Sequence, residues 1–120
     1  MASEGTHEPM DLLGPGTVDR HRAIVSLMEE LEAIDWYDQR IDATGDEELK
    51  QILIHNRDEE KEHAAMVLEW LRRRDPVLSE ELRTHLFAEG PIREARGNGS
   101  GSAPDEGSLK IGSLRVEKNR

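Results

Sequence analysis

The chain has 120 residues, of which 26 are acidic and 16 are basic, so its net charge at pH 7 is −10. Hydrophobic residues make up 35% of it, cysteine is absent, and no apolar run approaches the roughly 20 residues that cross a bilayer. These values exclude disulfides, thiolate metal sites and a membrane span, and the acidic balance disfavours nucleic-acid partners and attracts cations. We therefore expect a small cytoplasmic protein without a signal peptide and with a single folded domain.

The first predicted element is a long α-helix that follows an unstructured segment, residues 1–16, rich in glycine and proline. Thr17 is a suitable N-cap, because its hydroxyl can accept a hydrogen bond from the first turn. The helical pattern then continues to about Ala43.

A turn is predicted at residues 44–46, where Gly45 suits a left-handed conformation and Asp46 suits the N-cap of the next helix. The second helix continues to about Arg74, with acidic residues in its first turn and arginines in its last. A short third helix is predicted from Pro76 to Ala88. The expected fold class is therefore all-α: an antiparallel two-helix hairpin plus a short third helix.

The remaining chain separates by composition into a flexible linker, residues 93–107, and a tail, residues 108–120. The folded domain is predicted to be residues 17–92. The tail regains spaced apolar residues, namely Leu109, Ile111 and Leu114. Spacing alone leaves open whether this tail binds a partner or is a disordered terminus with incidental apolar residues.

Two carboxylates and one histidine are predicted to converge inside the hairpin. Glu30 lies 15 positions before Gly45, and Glu60 lies 15 positions after it. The two therefore stand at the same height in an antiparallel pair. His63 follows Glu60 by three residues and shares its helix face.

This cluster interrupts two largely apolar rows that are expected to be buried. The rows are Leu27, Glu30, Ile34, Tyr37 and Ile41 on the first helix and Ile52 or Leu53, Asn56, Glu60, His63, Val67 and Trp70 on the second. An unpaired buried carboxylate is costly, and a divalent metal bound by oxygen and one imidazole satisfies all three groups together.

The predicted ligands form half of a di-iron set. Such a bundle takes a Glu from each of two helices and a Glu-x-x-His from each of two others. A twofold axis presents the same three ligands twice, so a homodimer completes the four-helix bundle and the site. The thin core expected of so small a monomer favours the same assembly.

Two neighbouring groups each allow two interpretations. Glu29, Glu32 and Asp35 form either an outer cation-attracting patch or an ordinary acidic surface. Trp36 and Tyr37 either pack at the dimer interface or stand near the metal as redox-active aromatics.

Two segments, HRAIVSLMEELEAIDWYDQRIDA and HNRDEEKEHAAMVLEWLRRRDP, resemble the encapsulated ferritins of bacteria. The resemblance covers roughly residues 17–92 and includes FAEGPI after the third helix. The C-terminal GSLKIGSLR resembles the cargo-loading peptides that bind encapsulin nanocompartments. The resemblance implies a ferritin-like fold and a ferroxidase that oxidises Fe²⁺ to Fe³⁺ with dioxygen for mineral storage inside the shell.

The family's ferroxidase ligands fall on Glu30, Glu60 and His63. By this resemblance two iron ions lie between two subunits, bridged by the Glu60 carboxylates, with Glu30 and His63 as terminal ligands. The tryptophan close to the family's site falls on Trp36, with Tyr37 beside it, so both join the expected catalytic set.

The family's outer metal-binding carboxylates fall on Glu29 and Glu32, where Ca²⁺ or another divalent ion is expected. The dimers are expected to assemble into a ring, typically a decamer, inside an encapsulin nanocompartment of the bacterial cytoplasm. Encapsulin binding is expected through Leu109, Ile111 and Leu114.

Two alternatives remain open at this point. One is a non-enzymatic acidic helical module for dimerisation or as an adaptor, carried as encapsulin cargo, in which the three cluster residues are exposed and replaceable. The other keeps the fold but uses manganese or peroxide instead of iron and dioxygen.

Overall fold

The structure, a computed structural model, describes residues 5–97. Its helices are α1 (Pro15–Ala43), α2 (Glu47–Arg73) and α3 (Pro76–His85), with 3₁₀ turns at Met10–Leu12 and Ile92–Glu94. Within this part of the chain there is no strand, so the predicted all-α fold is confirmed. None of these helices has the length and apolar composition that a bilayer span requires. The predicted tail and most of the predicted linker lie outside the described residues.

Helix α1 begins earlier than the sequence predicts. Its N-cap is Gly14, in an extended conformation, and Pro15 takes the first helical position. Proline is favourable there because its fixed φ is already helical. The N–H that proline lacks would have no acceptor within the helix at this position. The predicted N-cap at Thr17 is therefore wrong, and the last two residues of the segment 1–16 are helical.

The turn between α1 and α2 agrees with the prediction in one residue and departs from it in another. Asp46 is the N-cap of α2, since its Oδ1 accepts a hydrogen bond from the Leu49 N–H at 2.8 Å. The Asp46 N–H in turn donates to Thr44 Oγ1 at 3.1 Å. Gly45, however, does not take a positive φ. The extended backbone of Thr44, at φ −78 and ψ 139, ends α1 instead, so no left-handed glycine is needed.

Helices α1 and α2 form an antiparallel hairpin within a structural unit that ends at Leu71. The predicted inner rows are the less exposed sides of both helices. Buried or half-buried members are Leu27, Glu30, Ile34, Tyr37 and Ile41 on α1 and Leu53, Asn56, Glu60, His63, Val67 and Trp70 on α2. Leu53 rather than Ile52 therefore belongs to the inner row, because Ile52 is exposed.

The core of this hairpin is shallow. Among residues 5–97 the buried apolar side chains are Ile41, Ala64 and Leu71, and no large side chain is completely buried. Several large apolar side chains of α1 and α2 remain exposed, namely Ile24, Leu31, Trp36, Leu49, Ile52 and Met66. A partner that covered these side chains would remove them from water.

The second structural unit begins at Arg72 and contains α3. Asp75 caps α3 by accepting a hydrogen bond from the Leu78 N–H at 3.0 Å. The helix ends at His85, so the predicted end at Ala88 is wrong. The extended backbone of Leu86, at φ −77 and ψ 136, ends the helix, and Phe87 follows with a φ of 61°, which a right-handed helix does not accommodate.

Candidate metal centre

The structure brings Glu30, Glu60 and His63 together between α1 and α2. One ligand atom from each lies within 4.8 Å of the other two. His63 Nδ1 lies 3.3 Å from Glu60 Oε1 and 3.5 Å from Glu30 Oε1. Within residues 5–97, no other group of three or more histidine, cysteine, aspartate or glutamate side chains has ligand atoms this close together. The side chains are placed as the sequence predicts, and their role as metal ligands stays a prediction.

Local structure explains this convergence. Glu60 and His63 stand one turn apart on α2, so both face α1. The turn of three residues between the helices brings Glu30 to the same height. The side chains of Glu30 and Glu60 are 25% and 24% exposed, and that of His63 is 42% exposed. The carboxylates are therefore partly withdrawn from water, while the cluster stays open enough for a cation to enter.

The Glu60 carboxylate beside Glu30 raises the affinity of Glu30 for protons. The hydrogen bond with Glu60, followed by burial and the Glu60 charge, raises the pKa of Glu30, and His63 offsets this only in part. Burial lowers the pKa of His63, but the hydrogen bond with Glu60 and the nearby negative charges outweigh it, so the pKa of His63 is raised. A divalent cation that bound here would therefore compete with protons for Glu30 and His63.

The donor set fits a divalent transition metal. Two carboxylates supply hard oxygen ligands and His63 supplies one imidazole, a combination that suits iron, manganese and zinc alike. Three donors also leave coordination positions open for water, for a substrate or for ligands from a second chain. The chemistry of the cluster therefore supports metal binding and does not select the metal.

The predicted outer carboxylates do not join this cluster. Glu29 and Asp35 are exposed and Glu32 is half-buried. Over residues 5–97 they form no group of three metal-ligating side chains within reach of one cation. An outer site for Ca²⁺ or another divalent ion stays a prediction.

The two aromatic residues of α1 differ in their surroundings. Trp36 is 49% exposed. Tyr37 is half-buried on the inner row, and the Arg40 guanidinium carbon lies 5.5 Å from the centre of its ring, a cation–π contact. Packing at an interface and redox activity both stay predictions for this pair.

An interhelical bridge that the sequence pattern does not predict lies one helical turn from Glu60. Arg57 on α2 donates a hydrogen bond from Nη1 to Asp38 Oδ1 on α1 at 3.0 Å. The hydrogen bond with Asp38, and after it a second hydrogen bond with Asp58, raise the pKa of Arg57. The available signal was its spacing, because Arg57 stands three residues before Glu60 and shares its helix face.

The sequence and the fold are similar to those of known proteins. The EncFtn-like family model matches residues 5–89. The chain belongs to the EncFtn-like family. This EncFtn-like protein is 59% identical over 128 residues to the "Encapsulated ferritin-like protein" of Rhodospirillum rubrum, covering 97% of this chain and 91% of that relative. It is 36% identical over 104 residues to the "Encapsulin nanocompartment cargo protein EncC" of Myxococcus xanthus, covering 76% of this chain and 80% of that relative.

A solved structure supports the same fold. A crystal structure of a protein from Nitrosomonas europaea is 60% identical to this EncFtn-like protein, with a TM-score of 0.71. The match covers 73% of this chain and 97% of that one. The expected ferritin-like hairpin with a short third helix is thereby confirmed, whereas its completion as a four-helix bundle by dimerisation stays a proposal.

Proposed function

We propose that this EncFtn-like protein is a ferroxidase that oxidises Fe²⁺ to Fe³⁺ with dioxygen at a di-iron site shared by two subunits. The oxidised iron is delivered for mineral storage inside an encapsulin nanocompartment. The convergence of Glu30, Glu60 and His63 within 4.8 Å, in a member of this family, is the observation that carries the proposal.

The shared site follows from what one chain lacks. Each hairpin supplies one Glu and one Glu-x-x-His, which is half of a di-iron ligand set. A twofold axis supplies the second half. The shallow core and the exposed apolar side chains of α1 and α2 support such a pairing, because a partner helix would cover them. Pairs assembled further into a ring, such as a decamer, are part of the same proposal.

Iron is the substrate in this scheme. Two bound Fe²⁺ ions supply two electrons to one O₂, which takes up two protons and leaves as hydrogen peroxide. Anionic oxygen ligands stabilise Fe³⁺ more than Fe²⁺, because the Coulomb attraction grows with the charge of the ion. Glu60 is proposed as the bridging ligand, with Glu30 and His63 as terminal ligands.

Aerobic Fe²⁺ oxidation, followed by absorbance, tests this function. We expect Glu30→Ala, Glu60→Ala and His63→Ala each to lose most of the parent rate while helicity by circular dichroism is retained. Matched controls on α2 are Glu59→Ala and His55→Ala, which remove an exposed pair at 3.9 Å. These controls are expected to keep the parent rate.

Two outcomes would count against the ferroxidase. If the parent protein oxidised Fe²⁺ no faster than buffer alone does, the ferroxidase proposal would be wrong. The non-enzymatic adaptor module would then be the function. Parent activity in all three cluster variants would place the chemistry elsewhere. The adaptor alternative also predicts exposed cluster residues; Glu30 and Glu60 are only 25% and 24% exposed, whereas His63 is 42% exposed, so the exposure of the two carboxylates supports the metal site.

Encapsulin is the proposed partner. The names of two relatives, an encapsulated ferritin-like protein and an encapsulin cargo protein, support this assignment. Docking is proposed to use Leu109, Ile111 and Leu114, with residues 93–107 as the flexible linker. The proposed location is the encapsulin lumen in the bacterial cytoplasm.

Residues around the cluster have proposed secondary roles. Glu29 and Glu32 are proposed to bind Ca²⁺ or another divalent ion and to draw cations toward the site. Trp36 and Tyr37 are proposed to lie near the bound iron in the assembled dimer, either as packing residues or as redox-active aromatics.

A further inference from the structure

The Arg57 side chain ties α2 to α1 close to the proposed metal site. Nη1 donates to Asp38 Oδ1 at 3.0 Å, and Nε donates to Asp58 Oδ1 at 3.2 Å. The Arg57 side chain is 23% exposed, far less than either carboxylate. Because a guanidinium is planar and offers its N–H groups in a fixed geometry, two carboxylates at two of its edges restrict its orientation.

This bridge and the cluster share one stretch of α2. Glu60 follows Arg57 by three residues and His63 follows it by six, so all three lie on one side of a single rigid helix. On α1, Asp38 follows Glu30 by eight residues, or about 12 Å along the axis. A movement of α2 at Arg57 therefore moves Glu60 and His63 relative to Glu30.

The three-residue turn sets the approximate register of the two helices, and apolar packing adds little to hold it near the cluster. The hairpin buries few apolar side chains, and those within residues 5–97 are Ile41, Ala64 and Leu71. One residue of slip moves a helical side chain by about 1.5 Å along the axis and by about 100° around it. Metal ligands must lie within about 0.2 Å of their bonding distances. When both are ionised, the facing carboxylates of Glu30 and Glu60 also repel each other, which favours separation of the helices.

We propose that Arg57 is a positioning residue. Through Asp38 it fixes the register and rotation of α2 against α1, and it thereby holds Glu60 and His63 in place to bind a divalent cation together with Glu30. The inference rests on the proposed metal site and adds to it a residue that is not one of the ligands. An ion pair as exposed as this one contributes little to the free energy of unfolding, so its consequence lies in ligand geometry.

Co²⁺ binding to the full chain tests the proposal, since visible absorption reports both affinity and coordination geometry. Arg57→Ala and Asp38→Ala are each expected to bind Co²⁺ about tenfold or more weakly, with an altered spectrum and retained helicity. The charge-swapped pair, Arg57→Asp with Asp38→Arg, is expected to recover affinity. Arg22→Ala is the matched control, because it removes an exposed arginine–aspartate pair at 2.8 Å on α1 and is expected to match the parent.

The direction in which Arg57→Ala changes the affinity for Co²⁺ distinguishes a positioning role from an effect of the arginine charge alone. Removal of a positive charge near a cation site strengthens cation binding by Coulomb attraction alone, whereas loss of register weakens it. Arg57→Ala that binds Co²⁺ as tightly as the parent or more tightly, with the parent spectrum, would overturn the positioning role and leave the metal site standing. If the parent protein bound no Co²⁺, both the proposed metal site and the positioning role of Arg57 would be wrong. If Arg57→Ala loses helicity, Arg57→Gln, which keeps most of the aliphatic stem, gives the same comparison.

Discussion

At the proposed metal site, a cation would compete with protons for Glu30 and His63. The pKa of Glu30 is raised, chiefly through its hydrogen bond with Glu60, and the pKa of His63 is raised although burial opposes the shift. The metal-free fold therefore binds protons more tightly than the unfolded chain does. By linkage, the contribution of these groups to stability is present at low pH and is lost as the pH rises through their folded pKa values.

Metal binding is expected to have the opposite pH dependence. A ligand carboxylate and imidazole must release their protons before they bind a cation, so Co²⁺ affinity is predicted to rise as the pH increases from about 6 to about 8. Isothermal titration at several pH values checks this and also counts the protons released. Equal affinity and no proton release across that range would contradict the assignment of His63 as a ligand.

The sequence predicts the convergence of the three cluster residues but not the residue beside them. Glu30, Glu60 and His63 follow from a symmetric count about the turn and from helix periodicity, which depend only on the backbone. Arg57 lies on the same face, but its long side chain has many rotamers, and acidic residues follow it directly in the sequence. Spacing therefore does not reveal that Asp38, on the other helix, is its partner.

At the scale of the elements, helix type is easier to predict than helix ends. Apolar periodicity predicts all three helices, and Asp46 and Asp75 are side-chain N-caps in the structure. The start of α1 is missed because Gly14 and Pro15 compete with Thr17 as capping signals, and backbone preference prevails. The end of α3 is missed because a left-handed phenylalanine has no sequence signature.

The C-terminal tail is the element expected to bind encapsulin. Replacing Leu109, Ile111 and Leu114 with serine is predicted to abolish co-purification with the shell protein, as deletion of residues 108–120 would. Each leucine or isoleucine buried on the shell contributes about 1.5–3 kcal/mol. Lys118→Ala with Asn119→Ala is the matched control in the same tail and is expected to co-purify. Unchanged co-purification of the deletion variant would contradict docking through this segment.

On the scale of the whole molecule, two features of one chain support the proposed pairing. It buries few apolar side chains in the described part, and it offers three potential ligands where a di-iron site takes six. The net charge of −10 adds a general attraction for cations. Sequence reasoning reaches this conclusion from length and ligand number, but ring size depends on surface geometry between copies, which no periodicity encodes.

Native mass spectrometry of the full chain with Co²⁺ tests the shared site most directly, because it counts chains and metal ions in the same particle. We expect assemblies with an even number of chains, each pair holding two Co²⁺ ions, and loss of the metal in Glu60→Ala but not in Glu59→Ala. A single chain that holds Co²⁺ as firmly as a pair does would contradict a site built from two subunits.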